Sequence, residues 1–217
     1  MWYQDGNGVR LAPCIDPSDT RCVVLGGAGF DPANPVSFPD NYPPEFFYAL
    51  ADSEVMQTPG CEGSAPGTAM LRLALEGTFA GDGAQAGQQI VFGRVRFNAT
   101  SGLCPGQTYT LTTPYGDLPV TANADGAVAR TVGTTDIGCG AAPCSFGAAL
   151  ASPVLDGFVR WAPGVGAAAP AGYLGDAATF HKVVGAPFSL NGSPVNYFKI
   201  TATNGDVVGQ TDQFTVM

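Results

Sequence analysis

The sequence predicts an all-β protein, built as a β-sandwich and stapled by disulfides. Three observations indicate this class. Apolar and polar residues alternate along several segments, turn sequences rich in Gly, Asn and Asp separate these segments about every 10–12 residues, and the six cysteines form an even number. Alternation places one face of a strand in the core and the other in water. Turns at this spacing are typical of sandwiches rather than of helical or α/β folds.

Residues 1–67 are predicted to form an irregular, Pro-rich segment packed on the β body, because they hold nine of the 18 prolines. Proline lacks the N–H that a strand ladder needs and restricts the residue before it. One regular element is predicted here, at residues 45–55. It is either a helix that starts after Pro44 or a strand, and the density of aromatic residues favours the strand.

Residues 68–161 are predicted to form the main sandwich. Leu71, Leu73 and Leu75 alternate with polar positions that include Arg72 and Glu76. The next segment repeats this pattern, and the later NADG sequence is typical of a tight hairpin turn.

Residues 162–175, rich in Ala, Gly and Pro, predict a linker or crossover. Residues 176–217 then carry several short strands. So few strands bury too little surface to stand alone. They are therefore predicted to complete the first sandwich, or to form a second small β subdomain with strands from the N-terminal segment.

The cysteines indicate structural disulfides rather than a metal or redox site. Two short loops predict the pairs Cys14–Cys22 and Cys139–Cys144, and elimination leaves Cys61 with Cys104. A structural zinc site would need matched cysteine spacings or more histidines than the single one present, and a redox site would need C-x-x-C. Three disulfides predict an oxidising setting, so we expect a secreted, extracellular or cell-surface protein.

The charge composition limits the partners. Charged residues make up only 12% of the chain, and the net charge is -9. Without a basic stripe to displace counterions from phosphates, nucleic acid is not an expected partner. No apolar stretch is long enough to predict membrane insertion. A surface with so few charges tolerates close packing against a neighbour, because little charge must be desolvated.

Several phrases are similar to a group of secreted bacterial proteins of unassigned function. They are WYQD at 2–5, EFFYALAD at 45–52, VFGRVRF at 91–97, the run from GYLGD to VVG at 172–185, and the ending QTDQFTV. The resemblance covers most of the chain and implies that the sandwich is immunoglobulin-like. It implies no catalytic residues, because the group has no known ones.

Three kinds of chemical site are considered. A hydrolase would depend on the only histidine, His181, or on paired carboxylates, with Glu76 as one candidate. Asp5 and Asn7 resemble the oxygen-rich first part of a calcium loop, so calcium is the one cofactor considered. Aromatic residues near the N terminus predict either core or a glycan-binding face; they are Trp2, Tyr3, Tyr42, Phe46, Phe47 and Tyr48.

Together these observations favour a non-catalytic extracellular structural or adhesion module that contacts itself or other surface proteins. Self-assembly into a surface layer or fibre is predicted through the strand-like C terminus. There Thr211, Phe214 and Val216 would extend a neighbour's open sheet edge. The alternative is a carbohydrate- or calcium-dependent binding module, and the third hypothesis is a secreted hydrolase.

Overall fold

Antiparallel strands form nearly all of the regular structure. A computed structural model describes residues 1–27 and 29–217. In chain order the elements are β1 (Tyr3–Gln4), β2 (Arg10–Leu11), β3 (Glu45–Ser53), β4 (Met56–Thr58), β5 (Gly67–Phe79), β6 (Gln89–Ala99), β7 (Thr108–Thr113), β8 (Gly116–Thr121), β9 (Thr134–Gly138), the 3-10 helices η1 (Phe146–Ala151) and η2 (Pro153–Leu155), β10 (Arg160–Trp161), β11 (His181–Val184), β12 (Ser189–Leu190), β13 (Ser193–Pro194), β14 (Phe198–Ala202), β15 (Val207–Thr211) and β16 (Gln213–Val216). Among the described residues, no helix is long and apolar enough to cross a membrane.

The larger sheet has the strand order β10-β11-β16-β3-β5-β6-β9, with β4 pairing beside the first residues of β5. Within this sheet a long ladder joins β5 and β6 and runs from Ala69 opposite Ala99 to Phe79 opposite Gln89. Leu71, part of the alternating pattern, is fully buried. Alternation therefore sends one set of β5 side chains into the core and leaves the other set on the opposite face.

The smaller sheet has the order β15-β14-β7-β8 and packs against the inner face of the larger one. Leu111 from β7 and Ile200 from β14 join Leu71 of β5 in one apolar cluster. Phe97 of β6 meets Phe198 of β14 edge to face, with ring centroids 5.8 Å apart. The prediction of an all-β fold is confirmed, and these two sheets form the layers of a sandwich. The immunoglobulin-like form, which concerns strand order, stays a prediction.

The N-terminal segment contributes a strand to the middle of the larger sheet. β3 lies between β16 and β5 in that sheet, and most of its side chains are buried. Both faces of β3 are covered, because Phe47 and Leu50 pack under the loop closed by Cys14 and Cys22. Burial on both faces explains why its sequence is a continuous apolar run rather than an alternating one. The rest of residues 1–67 is mainly turns and isolated bridges, apart from three short strands and the start of β5.

The C-terminal strands complete this sandwich. β14 and β15 extend the smaller sheet, while β11 and β16 extend the larger one. Residues 176–217 thus contribute strands to both layers, and the division of the chain into domains stays a prediction. Residues 162–175 contain turns without strands and lie in the long loop that joins the neighbouring antiparallel strands β10 and β11.

Candidate functional site

The cysteines form the two pairs that their spacing predicts and the third that elimination predicts. The Cα–Cα distances are 5.3 Å for Cys14–Cys22, 5.5 Å for Cys61–Cys104 and 5.6 Å for Cys139–Cys144. All three lie within the usual range for disulfides. The first holds a loop on the outer face of the larger sheet, and the third packs beside Ile90 and Phe92. Their sulfurs are therefore part of structural staples.

Asp5 ties the N terminus into the fold. Its Oδ1 accepts hydrogen bonds from the backbone N–H groups of Asn7 (2.9 Å) and Val9 (2.8 Å), and its Oδ2 accepts one from the N–H of Phe158 (2.8 Å). The side chain is buried. Both oxygens that were predicted to hold calcium thus already serve backbone donors. The Asp5 carboxylate therefore closes a turn and anchors it to a distant segment.

No metal-ligating cluster accompanies Asp5 and Asn7. Within residues 1–27 and 29–217, no three His, Cys, Asp or Glu side chains are grouped as a metal ion would require. Hard cations such as calcium take six to eight oxygen ligands, roughly, and carboxylates usually supply several of them. Calcium binding at these two residues therefore stays a prediction with no geometric support.

His181 and Glu76 lie apart and are engaged separately. β16 and β3 separate their strands, so three strand spacings, roughly 14 Å, divide them. The imidazole stacks on Trp161 with centroids 4.5 Å apart, and its Nδ1 lies 2.7 Å from the carbonyl oxygen of Lys182. Both carboxylate oxygens of Glu76 accept from Nη1 of Arg94 at 2.8 Å. General acid–base catalysis needs partners within hydrogen-bond reach of one substrate, and this pair is too distant.

Glu76 occupies a charged cluster on the outer face of the larger sheet. Burial raises its pKa above the usual carboxyl range, Arg94 acts in the opposite direction, and nearby Glu45 raises it further. The side chain of Glu76 is only 4% exposed. A carboxyl so enclosed cannot reach a sugar in solution, although its pKa resembles that of a general acid.

The C-terminal strand is an interior strand of its own sheet. Phe214 of β16 lies opposite His181 of β11 on one side and opposite Ser53 of β3 on the other. Phe214 and Val216 are buried in the core, and Thr211 is buried at the end of β15. The prediction of a free strand for a neighbour is therefore wrong in this fold. Donating β16 would first require its removal from between two strands.

The aromatic residues divide between the two faces of β3. Phe47 points to the outer face and joins the cluster under the Cys14–Cys22 loop. Phe46 and Tyr48 point to the inner face, where Tyr3 meets Tyr48 edge to face at 5.0 Å. Gly77 lies opposite Phe46 in the ladder, and a side chain there would collide with the Phe46 ring. The missing side chain lets the ring lie across the strand.

A groove forms where these inner-face rings reach the end of the sandwich. We define the aromatic groove by Phe38, Tyr42, Phe46, Tyr48, Phe79 and Phe146, which surround a cavity of about 280 Å³. Phe38 stacks on Phe79 with centroids 6.1 Å apart, and Tyr42 meets both rings edge to face. The remaining lining residues are Met1, Pro13, Gln89 and Val91.

Sequence reasoning found only part of this groove. Tyr42, Phe46 and Tyr48 were among the predicted aromatics, whereas Phe38 and Phe146 were not. Phe38 lies in a proline-rich loop and Phe146 begins a 3-10 helix, so neither belongs to an apolar pattern that a sequence shows. Trp2 is 58% exposed and lies outside the cavity, with the guanidinium of Arg10 over its ring at 5.1 Å.

The groove is apolar and uncharged in its side chains. Among the described residues, no Asp, Glu, Lys, Arg or His side chain lines it. Tyr42 and Tyr48 are the ionisable side chains that line it among the described residues, and burial raises the pKa of both phenols above the ordinary value. Both phenols are therefore neutral hydrogen-bonding groups at neutral pH.

Comparison with family models, curated proteins and solved structures finds no match to this chain. The resemblance to secreted bacterial proteins therefore stays a prediction, and the functional argument rests on the geometry of the groove.

Proposed function

We propose that this protein is a non-catalytic, extracellular adhesion module whose aromatic groove receives an apolar side chain of another surface protein. One observation carries the proposal: six aromatic rings surround one open cavity. Phe38 on its rim is 42% exposed, although such a ring usually gains from burial. A partner that covered the Phe38 ring would remove its exposed apolar surface from water, which favours binding.

The size of the groove fits one ring-sized or branched aliphatic group. At about 280 Å³ it lies at the lower end of ligand pockets, which span roughly 300–1,000 Å³. Anchoring side chains of this kind, set in a well-packed pocket, supply much of the energy of protein–protein interfaces. Gln89 and the Tyr42 phenol supply polar atoms that orient such a group.

The lining argues for binding rather than catalysis. Acid–base chemistry at neutral pH needs a group whose pKa lies near the working pH. The two phenols of the groove have pKa values raised by burial, away from neutrality. With no charged side chain beside them in the described residues, the groove offers contact surface and shape.

An extracellular setting agrees with the staples. Three disulfides fit an oxidising environment, and two of them close short loops that lack long ladders of their own. The low charge of the chain agrees with a surface that packs against neighbours at little desolvation penalty.

The test compares Phe38→Ala with Phe180→Ala. Both rings are exposed, at 42% and 46%, but only Phe38 lines the groove. The neutral fluorophore N-phenylnaphthylamine serves as the apolar probe. We expect Phe38→Ala to weaken its binding by about two- to tenfold, the value of one aromatic contact, and Phe180→Ala to leave it unchanged. Equal binding by both variants, or no binding by the wild-type protein, would contradict the proposal.

A carbohydrate ligand is the second candidate. The exposed indole of Trp2 favours a carbohydrate ligand. Trp2 lines a depression that adjoins the groove, and Met1 and Phe146 line both, so the indole extends the aromatic surface beyond the cavity. Flat aromatic surfaces stack on sugar rings. The same three proteins are therefore applied to a glycan array. A signal that Phe38→Ala loses and Phe180→Ala keeps identifies a sugar as the ligand. An array without signal favours the apolar side chain of another protein as the ligand.

A further inference from the structure

Arginines concentrate on the outer face of the larger sheet. The whole chain has nine Lys and Arg residues, yet Arg72, Arg94, Arg96 and Arg130 all lie on or beside this face. Arg72 and Arg96 are directly opposite in the β5–β6 ladder. Like charges directly opposite on neighbouring strands are unfavourable. Such a pair persists only where other groups offset the repulsion.

Two of the four arginines have carboxylate partners. Arg72 donates through Nε and Nη2 to Asp52 at 2.8 and 2.7 Å. Arg94 donates to Asp136 through Nε and Nη2, and to Glu76 through Nη1. Asp52, Asp136 and Glu76 on this face are thus paired with the Arg72 and Arg94 guanidiniums.

The other two arginines have no such partner. Across residues 1–27 and 29–217, no carboxylate oxygen lies within 4.0 Å of the Arg96 or Arg130 guanidinium. Arg96 is half-buried and donates only through Nε, to Oγ1 of Thr134 at 3.1 Å. Burial lowers the pKa of Arg96, the positive charges of Arg94 and Arg72 lower it further, and the carboxylates of Glu76 and Asp136 act in the opposite direction. Among the described residues, its remaining N–H donors have no hydrogen-bond acceptor.

The backbone arrangement brings Arg130 to the same place. Thr134 lies opposite Arg96 in the β6–β9 ladder, and its hydroxyl donates to the carbonyl oxygen of Arg130. Arg72, Arg96 and Arg130 line a small cavity of about 20 Å³ together with Met70 and Asn98. A cavity of roughly 10–15 Å³ admits one water-sized group. One oxygen of an anion fits there, while its other oxygens face solvent and the guanidinium forks.

We propose that Arg96, Arg130 and Asn98 form a binding site for an oxyanion, such as the sulfate or carboxylate group of a ligand. The planar guanidinium offers paired N–H donors that match two oxygens of such a group, and the Asn98 amide adds another donor. An anion also offsets the repulsion between Arg96 and Arg72. The site lies on the face of β5 and β6 opposite to the aromatic groove, so it is independent of the proposed function.

Acidic groups nearby limit the site without filling it. Asp136 is bound to Arg94 and lies one strand over and two residue pairs along from Arg96, and Asp52, two strands from Arg96, is bound to Arg72. Glu76 lies four residue pairs along the β5–β6 ladder from the Arg72–Arg96 pair. The site therefore selects small or singly substituted anions, because a larger anion would approach Asp136.

Isothermal titration of the purified chain with sodium sulfate and with sodium acetate tests the site, against sodium chloride at equal ionic strength. We expect Arg96→Gln to weaken binding by about tenfold or more, the value of a lost charged hydrogen bond, and Arg130→Gln to weaken it less. Lys182→Gln is the matched control, because it removes an exposed cation that pairs with Asp212 elsewhere on the sheet. Near-ultraviolet circular dichroism checks the fold of each variant.

The outcomes separate clearly. Binding of sulfate, of acetate or of both, weakened in both arginine variants and kept in Lys182→Gln, supports the site, and the tighter-bound anion identifies the group it prefers. Equal affinity in the wild-type protein and both arginine variants overturns it, as does a wild-type protein that binds neither anion. Should Arg96→Gln fail to fold, the exposed Arg130→Gln variant decides the question by itself.

Discussion

Replacing Asp5 with Ala should destabilise the fold through three lost hydrogen bonds. The N–H of Phe158 has no access to water, because Phe158 is fully buried. Loss of its hydrogen bond to Asp5 should therefore lower the free energy of unfolding by about 2–3 kcal/mol. The N–H groups of Asn7 and Val9 lie in a partly exposed turn, where water can replace the carboxylate. Loss of each of their hydrogen bonds should therefore cost about 0.5–1 kcal/mol. The sum is about 3–5 kcal/mol, a large part of the stability of a typical domain.

Asp5→Asn separates the two contributions. The amide keeps an acceptor for the turn but places an NH₂ group against the Phe158 N–H, so only the buried bond is lost. We expect a loss of about 2–3 kcal/mol in the free energy of unfolding. Asp156→Asn is the control, because this acid is exposed and close in sequence to Phe158.

Urea denaturation followed by far-ultraviolet circular dichroism measures these differences. Each protein is measured with calcium and with EDTA. We expect the wild-type free energy of unfolding to be the same in both, because backbone donors occupy the Asp5 oxygens. A loss below about 1 kcal/mol in Asp5→Ala would refute the hydrogen-bond argument. A calcium-dependent gain that Asp5→Ala abolishes would restore the calcium hypothesis.

Two further predictions concern the core and the tyrosines. Phe214→Ala should lower the free energy of unfolding by about 3–5 kcal/mol in urea denaturation, because it empties a fully buried position between β11 and β3; a loss below about 1 kcal/mol would mean that β16 is not an interior strand. Burial raises the pKa of Tyr3 from 10.0 to about 12 and that of Tyr48 as well, so the folded chain retains protons that the unfolded chain releases, and stability should fall as the pH rises through that window. Tyrosinate absorbance and circular dichroism should therefore change together, and full tyrosine ionisation before any loss of structure would contradict the assignment.

Local patterns in the sequence predicted much of the fold. The alternation in β5 and β6 depends only on which side of a strand faces the core, so it is visible in the residues themselves. The pairs Cys14–Cys22 and Cys139–Cys144 follow from short loops, since few other partners are in reach. Even the aromatic run of β3 was readable as a strand, although its central place was not.

The site depended on contacts between distant residues. The sequence of the first ten residues is equally compatible with a calcium loop and with a capped turn; the N–H of Phe158, which arrives 153 residues later, makes Asp5 a structural anchor. The aromatic groove needs Phe38 and Phe146 from segments without a regular pattern. The Arg96 site depends on which acids pair with Arg72 and Arg94, and cross-strand register decides that.

The sequence by itself determined the all-β class, the staples and the faces of the longest strands, because each follows from spacing along a short stretch of chain. Only the tertiary structure decided that the C-terminal strand is interior, that Phe46 and Tyr48 share a groove while Phe47 does not, and that Arg96 has no carboxylate partner among the described residues. The physical reason is the same in each case. Pairing and burial are set by the partner that the fold supplies, and in this sandwich the partners come from other segments of the chain.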